Sequence, residues 1–249
     1  MSQGADRLMS VVESFLDSPQ QTLSEVAAAC GLGVPTAMRY LHHLVERGWL
    51  ERDATSKHYT LGVALVTIGG AARAAQPITA RSLPYMKELV AAFDETVNVA
   101  MRVQNEVIVV EAVEGRQSMR GGAKAGEKDE WFNSSLGKSI LAYAPEEDVL
   151  ELLERFPPQR RTGKTLVTAD EIFRDLAEVR ERGYALDDEE SEIGLKCVGV
   201  PIWGGGPNPV SYAMSMSGPT QRIDNRLEQI AEQLQAAAAQ ISLANKGRP

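Results

Sequence analysis

Apolar residues fall at three- and four-residue steps in the first third of the chain. Leu8, Val11, Val12 and Phe15 predict a helix over 5–15, ended by Asp17-Ser18-Pro19. Thr22 and Glu25 have capping-box spacing, which predicts a short helix carrying Val26, Ala27 and Ala28. Gly31 and Gly33 break it. Pro35 suits the first position of a new helix, because its missing N–H is one that the helix leaves unused. Ala37, Leu41 and Leu44 form the apolar stripe of that second helix, and Gly48 stops it. WLERD, TSK and HYTL then read as two short strands joined by a polar turn. Helix, tight turn, helix and hairpin make a winged helix-turn-helix. Such a unit sets its second helix in a DNA major groove while the hairpin tip meets the backbone.

The pattern changes after Leu61. GVALVTIGGAARAA is small and apolar, and predicts a linker helix over 63–75 with Gly69-Gly70 as its weak point. An apolar helix belonging to neither core is expected in a dimer interface; the alternative is that it packs back on its own winged domain. Leu83, Met86, Leu89, Val90 and Phe93 predict a helix over 78–95. VNVAMRV and VIVVEAV are strands separated by Gln104-Asn105-Glu106. A third strand is expected over 118–123, then the loop AGEKDEWFN and a helix over 134–144. Another helix runs from Pro145-Glu146 to Phe156, before Pro157-Pro158. Thr168 and Glu171 form a second capping box, opening a helix through Arg182. Strands follow over 184–187, 198–203 and 210–217, with Gly204 to Asn208 as the last turn. Ile223, Leu227, Ile230, Leu234 and Ile241 make one seam of a final helix over 221–243. The expected fold class is α+β: a winged domain over 1–62, a linker helix over 63–76, and an α/β domain over 77–249.

Composition narrows the function. The chain has 249 residues, 43% hydrophobic and 24% charged, which suits a soluble protein of two domains. MSQGADR is polar and no apolar run reaches the roughly 18 residues of a membrane span, so no leader or membrane partner is expected and the cytoplasm is the default. Cys30 and Cys197 lie in different predicted domains, which argues against a disulfide framework. The net charge is −8; residues 1–75 carry six cations against seven anions, leaving −7 to the rest. A DNA reader of this charge works by placing a few cations locally, doubled in a dimer, with strong salt dependence. On the second helix Pro35, Thr36, Met38, Arg39, His42 and His43 fall off the apolar stripe and face solvent or DNA. Arg39 is the best candidate for a guanine or phosphate contact, since its planar fork fits either. Thr36 suits a phosphate or a thymine methyl. Lys57 and His58 flank the hairpin turn, either on the DNA backbone or simply exposed.

Enzyme chemistry finds little support. Cys197 has no histidine in its own domain to act as base, because His42, His43 and His58 all lie in the first. Cys197 with Asp187 lacks the further ligands of a metal site. Gly137-Lys138-Ser139 is not a phosphate loop, because Phe132 stands where the earlier glycine is needed. GGAKAG does not match a dinucleotide fingerprint. No cofactor, no catalytic residue and no metal is expected.

LSEVAAACGLGVPTAMRYLHHLVERGWLERD, SSLGKSILAY, VRERGYALDDEESEIGLKCVGVPIW and SMSGP, in this order and spacing, resemble the IclR family of bacterial transcriptional regulators. The resemblance runs from about Ala5 to Ser242. It implies a winged helix, a linker helix and a GAF-like ligand-binding domain, in dimers or dimers of dimers on palindromic promoter DNA. It implies a small metabolite in the C-terminal pocket that changes DNA affinity, with repression the commoner role. It places Asp187, Leu195 and Cys197 in the effector site, Ser215 and Ser217 on the facing strand, and Ser135 and Leu136 at the helix start that closes the pocket. A helix N-terminus offers N–H groups to an anion, and hydroxyls two residues apart on a strand point the same way. That reads as a carboxylate or hydroxy-acid site, the effector being an organic, aromatic or sugar acid. Asp187 fits it poorly, unless it accepts from a ligand hydroxyl or is protonated.

Two stretches depart from the family. Lys128-Asp129-Glu130-Trp131-Phe132 stands where members often carry Leu-Pro and a His. Trp131 or Phe132 either stacks on a ring or sugar face or plugs the core. Val34-Pro35 replaces a polar pair at the start of the second helix, which should change operator preference. The rival reading is a protein-interaction module with a vestigial pocket, plugged by side chains such as Leu136.

Overall fold

The computed structural model describes residues 3–118, 121–204 and 209–246. The chain divides into two compact units, Met1–Ala75 and Gln76–Pro249.

The first unit runs α1 (Gln3–Asp17), α2 (Leu23–Ala29), α3 (Val34–Glu46), β1 (Leu50–Arg52), β2 (Tyr59–Leu61) and α4 (Val63–Ala74). The capping box forms at α2: Glu25 accepts from the Thr22 backbone N–H at 2.7 Å while the Thr22 hydroxyl accepts from Glu25 N. Gly31 turns the chain with φ +61°, a conformation that costs glycine little. Val34 takes the first position of α3 and Pro35 the second, where the N–H is equally unneeded. Val11, Phe15, Val26, Leu41, Leu44, Leu50 and Tyr59 form the core. β1 and β2 pair antiparallel, Leu50 opposite Leu61. Asp53 Oδ1 ties the hairpin tip by accepting from Thr55 N at 2.9 Å and Ser56 N at 2.5 Å. None of the twelve residues of α4 is buried; its first turn touches the winged unit, with Ala64 N donating to the Gly48 carbonyl at 3.2 Å, and Val63, Val66 and Ile68 stand exposed.

The second unit runs α5 (Pro77–Phe93), β3 (Thr96–Val103), β4 (Glu106–Val113), β5 (Lys128–Asp129), α6 (Ser135–Leu141), α7 (Glu146–Arg155), α8 (Ala169–Arg182), β6 (Ala185–Asp188), β7 (Leu195–Trp203), β8 (Val210–Pro219), α9 (Thr220–Asp224) and α10 (Leu227–Ala244). Its antiparallel sheet has the order β5-β4-β3-β8-β7-β6. One face carries Val97, Val99, Val198, Val200, Met214 and Met216 against α5 and α10. On the other face Ala100, Ala185 and Ala213 meet α6, α7 and α8. Helices cover both faces, which is why β3, β7 and β8 are buried along most of their length.

Three expectations change. No strand forms among the described residues of 118–123; Gly121 and Gly122 lie there, Gly122 with φ +113°, and the edge strand is instead Lys128–Asp129, paired with Val107 and Ile108. The final helix is two helices: Asn225, a weak helix former, closes α9, and Arg226 at φ −136° leaves the helical conformation before α10. The α6 helix ends at Leu141, short of Ala144. Of the last predicted turn, 205–208 lies outside the described residues. Among the described residues no helix is long and apolar enough to cross a membrane.

Candidate functional site

Sheet register builds the floor of the main cavity. Thr96, Ser217, Cys197 and Asp187 stand opposite one another across β3, β8, β7 and β6, and Asn98, Ser215 and Gly199 form the next row. Period-two alternation puts both rows on the face that α6 covers. Gly199 lets α6 come close, because a Cβ there would lie 2.3 Å from the Ser135 carbonyl oxygen. Ser134 caps α6, its Oγ accepting from Gly137 N at 3.0 Å. Between the α6 start, these rows and the loop 191–194 lies a cavity of about 820 Å³, within the usual range for small-molecule sites.

Buried charge shapes its wall. Asp187 Oδ1 accepts from Glu190 N at 2.8 Å and Ser191 N at 3.2 Å, and its Oδ2 accepts from the Ser191 hydroxyl. Burial raises the Asp187 carboxyl above its ordinary range, and these bonds pull it part of the way back. The Cys197 thiol lies 3.9 Å from Asp187 Oδ2; burial, and then the Asp187 charge, push it well up, so it stays a neutral thiol. Behind the loop, Lys138 Nζ donates to Glu190 Oε1 at 2.5 Å and to the Leu186 carbonyl at 3.0 Å, and lies 3.0 Å from Asp175 Oδ2. Burial outweighs this pairing and lifts Glu190 to about 7. Asp129 is lifted to about 6, first by burial and then by the charges of Asp187 and Glu130, against hydrogen bonds from Glu130 N and Ser134.

Seven of the expected effector residues line this one cavity: Ser135, Leu136, Asp187, Leu195, Cys197, Ser215 and Ser217. Asp187 lines the cavity while its oxygens also accept from Glu190 and Ser191 of its own loop. Leu136 lines the cavity without filling it. Trp131 does not reach the cavity. It is 6% exposed, packs in the core with Phe132, and donates its indole N–H to the Asn105 carbonyl at 3.0 Å. That carbonyl answers its one polar need, so the ring plugs the core. Sequence reasoning missed Asn98 and Lys138, while it did place Asp129 in the stretch that alters the rim. A lone asparagine inside VNVAMRV and a lone lysine inside the buried helix SLGKSIL were the available signals.

On α3, Pro35, Met38, Arg39, His42 and His43 are exposed and Thr36 is half-buried. Glu46 shares their face, 3.2 Å from His42 Nε2 and 3.3 Å from His43 Nδ1. Among the described residues no carboxylate pairs with Arg39, whose guanidinium lies 5.6 Å from the Tyr40 ring. Lys57 is exposed at φ +63° and its ammonium donates to the Ala54 carbonyl at 2.5 Å, closing its own turn. Among the described residues no group of three or more His, Cys, Asp or Glu is placed to hold a metal ion.

Two family models match the chain: the IclR helix-turn-helix domain over residues 4–54, and the bacterial transcriptional regulator IclR C-terminal domain over residues 71–243. The chain is 32% identical over 228 residues to the transcriptional repressor IclR of Escherichia coli (strain K12), covering 90% of this chain and 83% of that protein. The crystal structure of the Thermotoga maritima IclR superposes with a TM-score of 0.74 at 28% identity, covering 98% of this chain and 99% of that one. An IclR homologue from Microbacterium hydrocarbonoxydans, crystallised in complex with 4-hydroxybenzoate, superposes with a TM-score of 0.81 at 27% identity, covering 98% and 99%.

Proposed function

The chain belongs to the IclR family of bacterial transcriptional regulators, and we propose that it is a cytoplasmic repressor that binds palindromic promoter DNA and answers to a small metabolite. The observation that carries this reading is the cavity of about 820 Å³ under α6, floored by polar residues in register on an otherwise apolar sheet. Polar side chains are seldom buried in such a row unless something uses them. A cavity this open also weighs against the vestigial-pocket reading. The metabolite lies between Ser215, Ser217 and the start of α6.

The first unit supplies the DNA contact. α3 enters the major groove with Arg39 at a guanine or a phosphate, Thr36, Met38, His42 and His43 beside it and Pro35 at its start, while Lys57 at the hairpin tip lies near the backbone. The winged domain is taken as 1–62, the linker helix as 63–76 and the effector domain as 77–249. The linker supplies the partner surface. Val63, Val66 and Ile68 are exposed on α4, and a second copy covers them in a homodimer, or in a dimer of dimers. Ligand binding shifts the balance between DNA-competent and incompetent dimers.

Duplexes selected from a random pool by the full chain provide the test. The Ser217→Ala variant should bind a selected duplex as the parent does, yet release it only at a higher metabolite concentration. An unchanged midpoint removes Ser217 from the site.

A further inference from the structure

The outward side of α3 carries one anion that the fold does not call for. Glu46 is the last residue of the helix, away from the buried row of Ala37, Leu41 and Leu44, and its side chain is 57% exposed. A carboxylate in the last turn opposes the negative end of the helix dipole. On a face offered to DNA it also repels phosphate. What it does there is hold two imidazoles.

Glu46 Oε2 is hydrogen-bonded to His43 Nδ1 at 3.3 Å, and Oε1 lies 3.2 Å from His42 Nε2. The two rings stand 6.1 Å apart, tilted by 48°. An ionised carboxylate only accepts, so the His43 nitrogen that faces it carries the proton. In a neutral imidazole the other nitrogen is then bare. His43 Nε2, the outer ring atom of a side chain 62% exposed, is therefore an acceptor. A neutral histidine left to water favours the opposite form, with its proton on Nε2. His42 differs, because its own outer nitrogen is the one turned to Glu46.

Resting on the reading of α3 as the helix that enters the major groove, we infer that Glu46 is a positioning residue. It fixes His43 in the Nδ1–H form, so that His43 Nε2 reads a base edge as an acceptor. The major-groove edges that answer it are amino groups, N6 of adenine and N4 of cytosine; guanine O6 and N7 and thymine O4 are acceptors themselves. Arg39 has only donors, so the two side chains select different bases.

Nitrogen-15 NMR of the histidine rings in the full chain, at about pH 8.5 where imidazole is neutral, tests the first half. The chain has three histidines, His42, His43 and His58, so single substitutions assign them. His43 should be Nδ1–H in the parent and in Glu46→Gln, whose amide carbonyl still accepts. It should move toward Nε2–H in Glu46→Ala. Duplexes selected from a random pool at the same pH test the second half. At one position the parent should select adenine or cytosine about three- to tenfold over guanine and thymine, the worth of one hydrogen bond. His43→Ala should erase that preference, and Glu46→Ala should erase or invert it. A parent His43 with its proton on Nε2 overturns the inference. So does a selected sequence that neither His43→Ala nor Glu46→Ala alters. If Arg39→Ala weakens duplex binding and His43→Ala does not, only the inference falls. If both leave duplex affinity unchanged, the reading of α3 as the recognition helix falls with it.

Discussion

The two candidate surfaces of this chain are built in opposite ways. On α3 the residues offered to DNA point away from the core, and Ala37, Leu41 and Leu44 hold the helix without them. In the cavity the residues offered to a ligand are themselves buried: Asn98, Asp187, Ser215 and Ser217 are part of the sheet's packing. The contrast teaches where each specificity can change. The outward face of α3 can be rewritten with little effect on folding. The cavity floor cannot, so ligand preference is free to change chiefly at the exposed rim, in residues 127–130 and 191–194.

The sharpest way to break that contrast is at Lys138. Replacing it with methionine leaves the buried Glu190 without its cation, while Asp175 keeps Arg182 at 3.7 Å, and removing one partner of a buried pair costs about 3–5 kcal/mol. Chemical denaturation should show that loss in the second unit. A loss below about 1 kcal/mol, the scale of an exposed pair, would mean that the buried network does not hold the cavity wall.

Arg39→Ala sharpens the other side. Its expected effect on stability is within about 0.5 kcal/mol, while affinity for a selected duplex should fall by about 1–3 kcal/mol if the arginine reads a base. A uniform loss across all duplexes with a shallower salt dependence would make it a phosphate contact instead.

The smallest expected effect is in pH. Asp129 at about 6 and Glu190 at about 7 sit above their ordinary range, so the folded chain holds protons that the unfolded chain releases. Stability from these groups is present in acid and is lost as pH rises through 6 to 7. Thermal melts across that window should show the second unit weakening toward higher pH, with Asp129→Asn flattening the slope. A rise in stability over the same window would contradict the direction of both shifts.

Much of this architecture was legible in the residues. Two capping boxes, the α3 stripe and the parity of Ser215 and Ser217 needed only local rules, and those rules hold. The parity argument carried furthest, because it put two hydroxyls on one face before any neighbour was known. What stayed illegible depended on neighbours far along the chain. Trp131 faces the core because the Asn105 carbonyl lies within reach of its indole, a pairing across 26 positions. Asp187 seemed an awkward ligand for an anion; its oxygens turn out to close the loop at Glu190 and Ser191.

The central claim is that DNA and metabolite are handled by separate parts of one chain. Its most direct test is a double exchange on the full chain: duplex affinity and metabolite affinity, each measured for Arg39→Ala and for Ser217→Ala. Arg39→Ala should lose duplex affinity and keep metabolite affinity, and Ser217→Ala should do the reverse. If either substitution weakens both together, with its melting temperature unchanged, the division between the two parts is wrong.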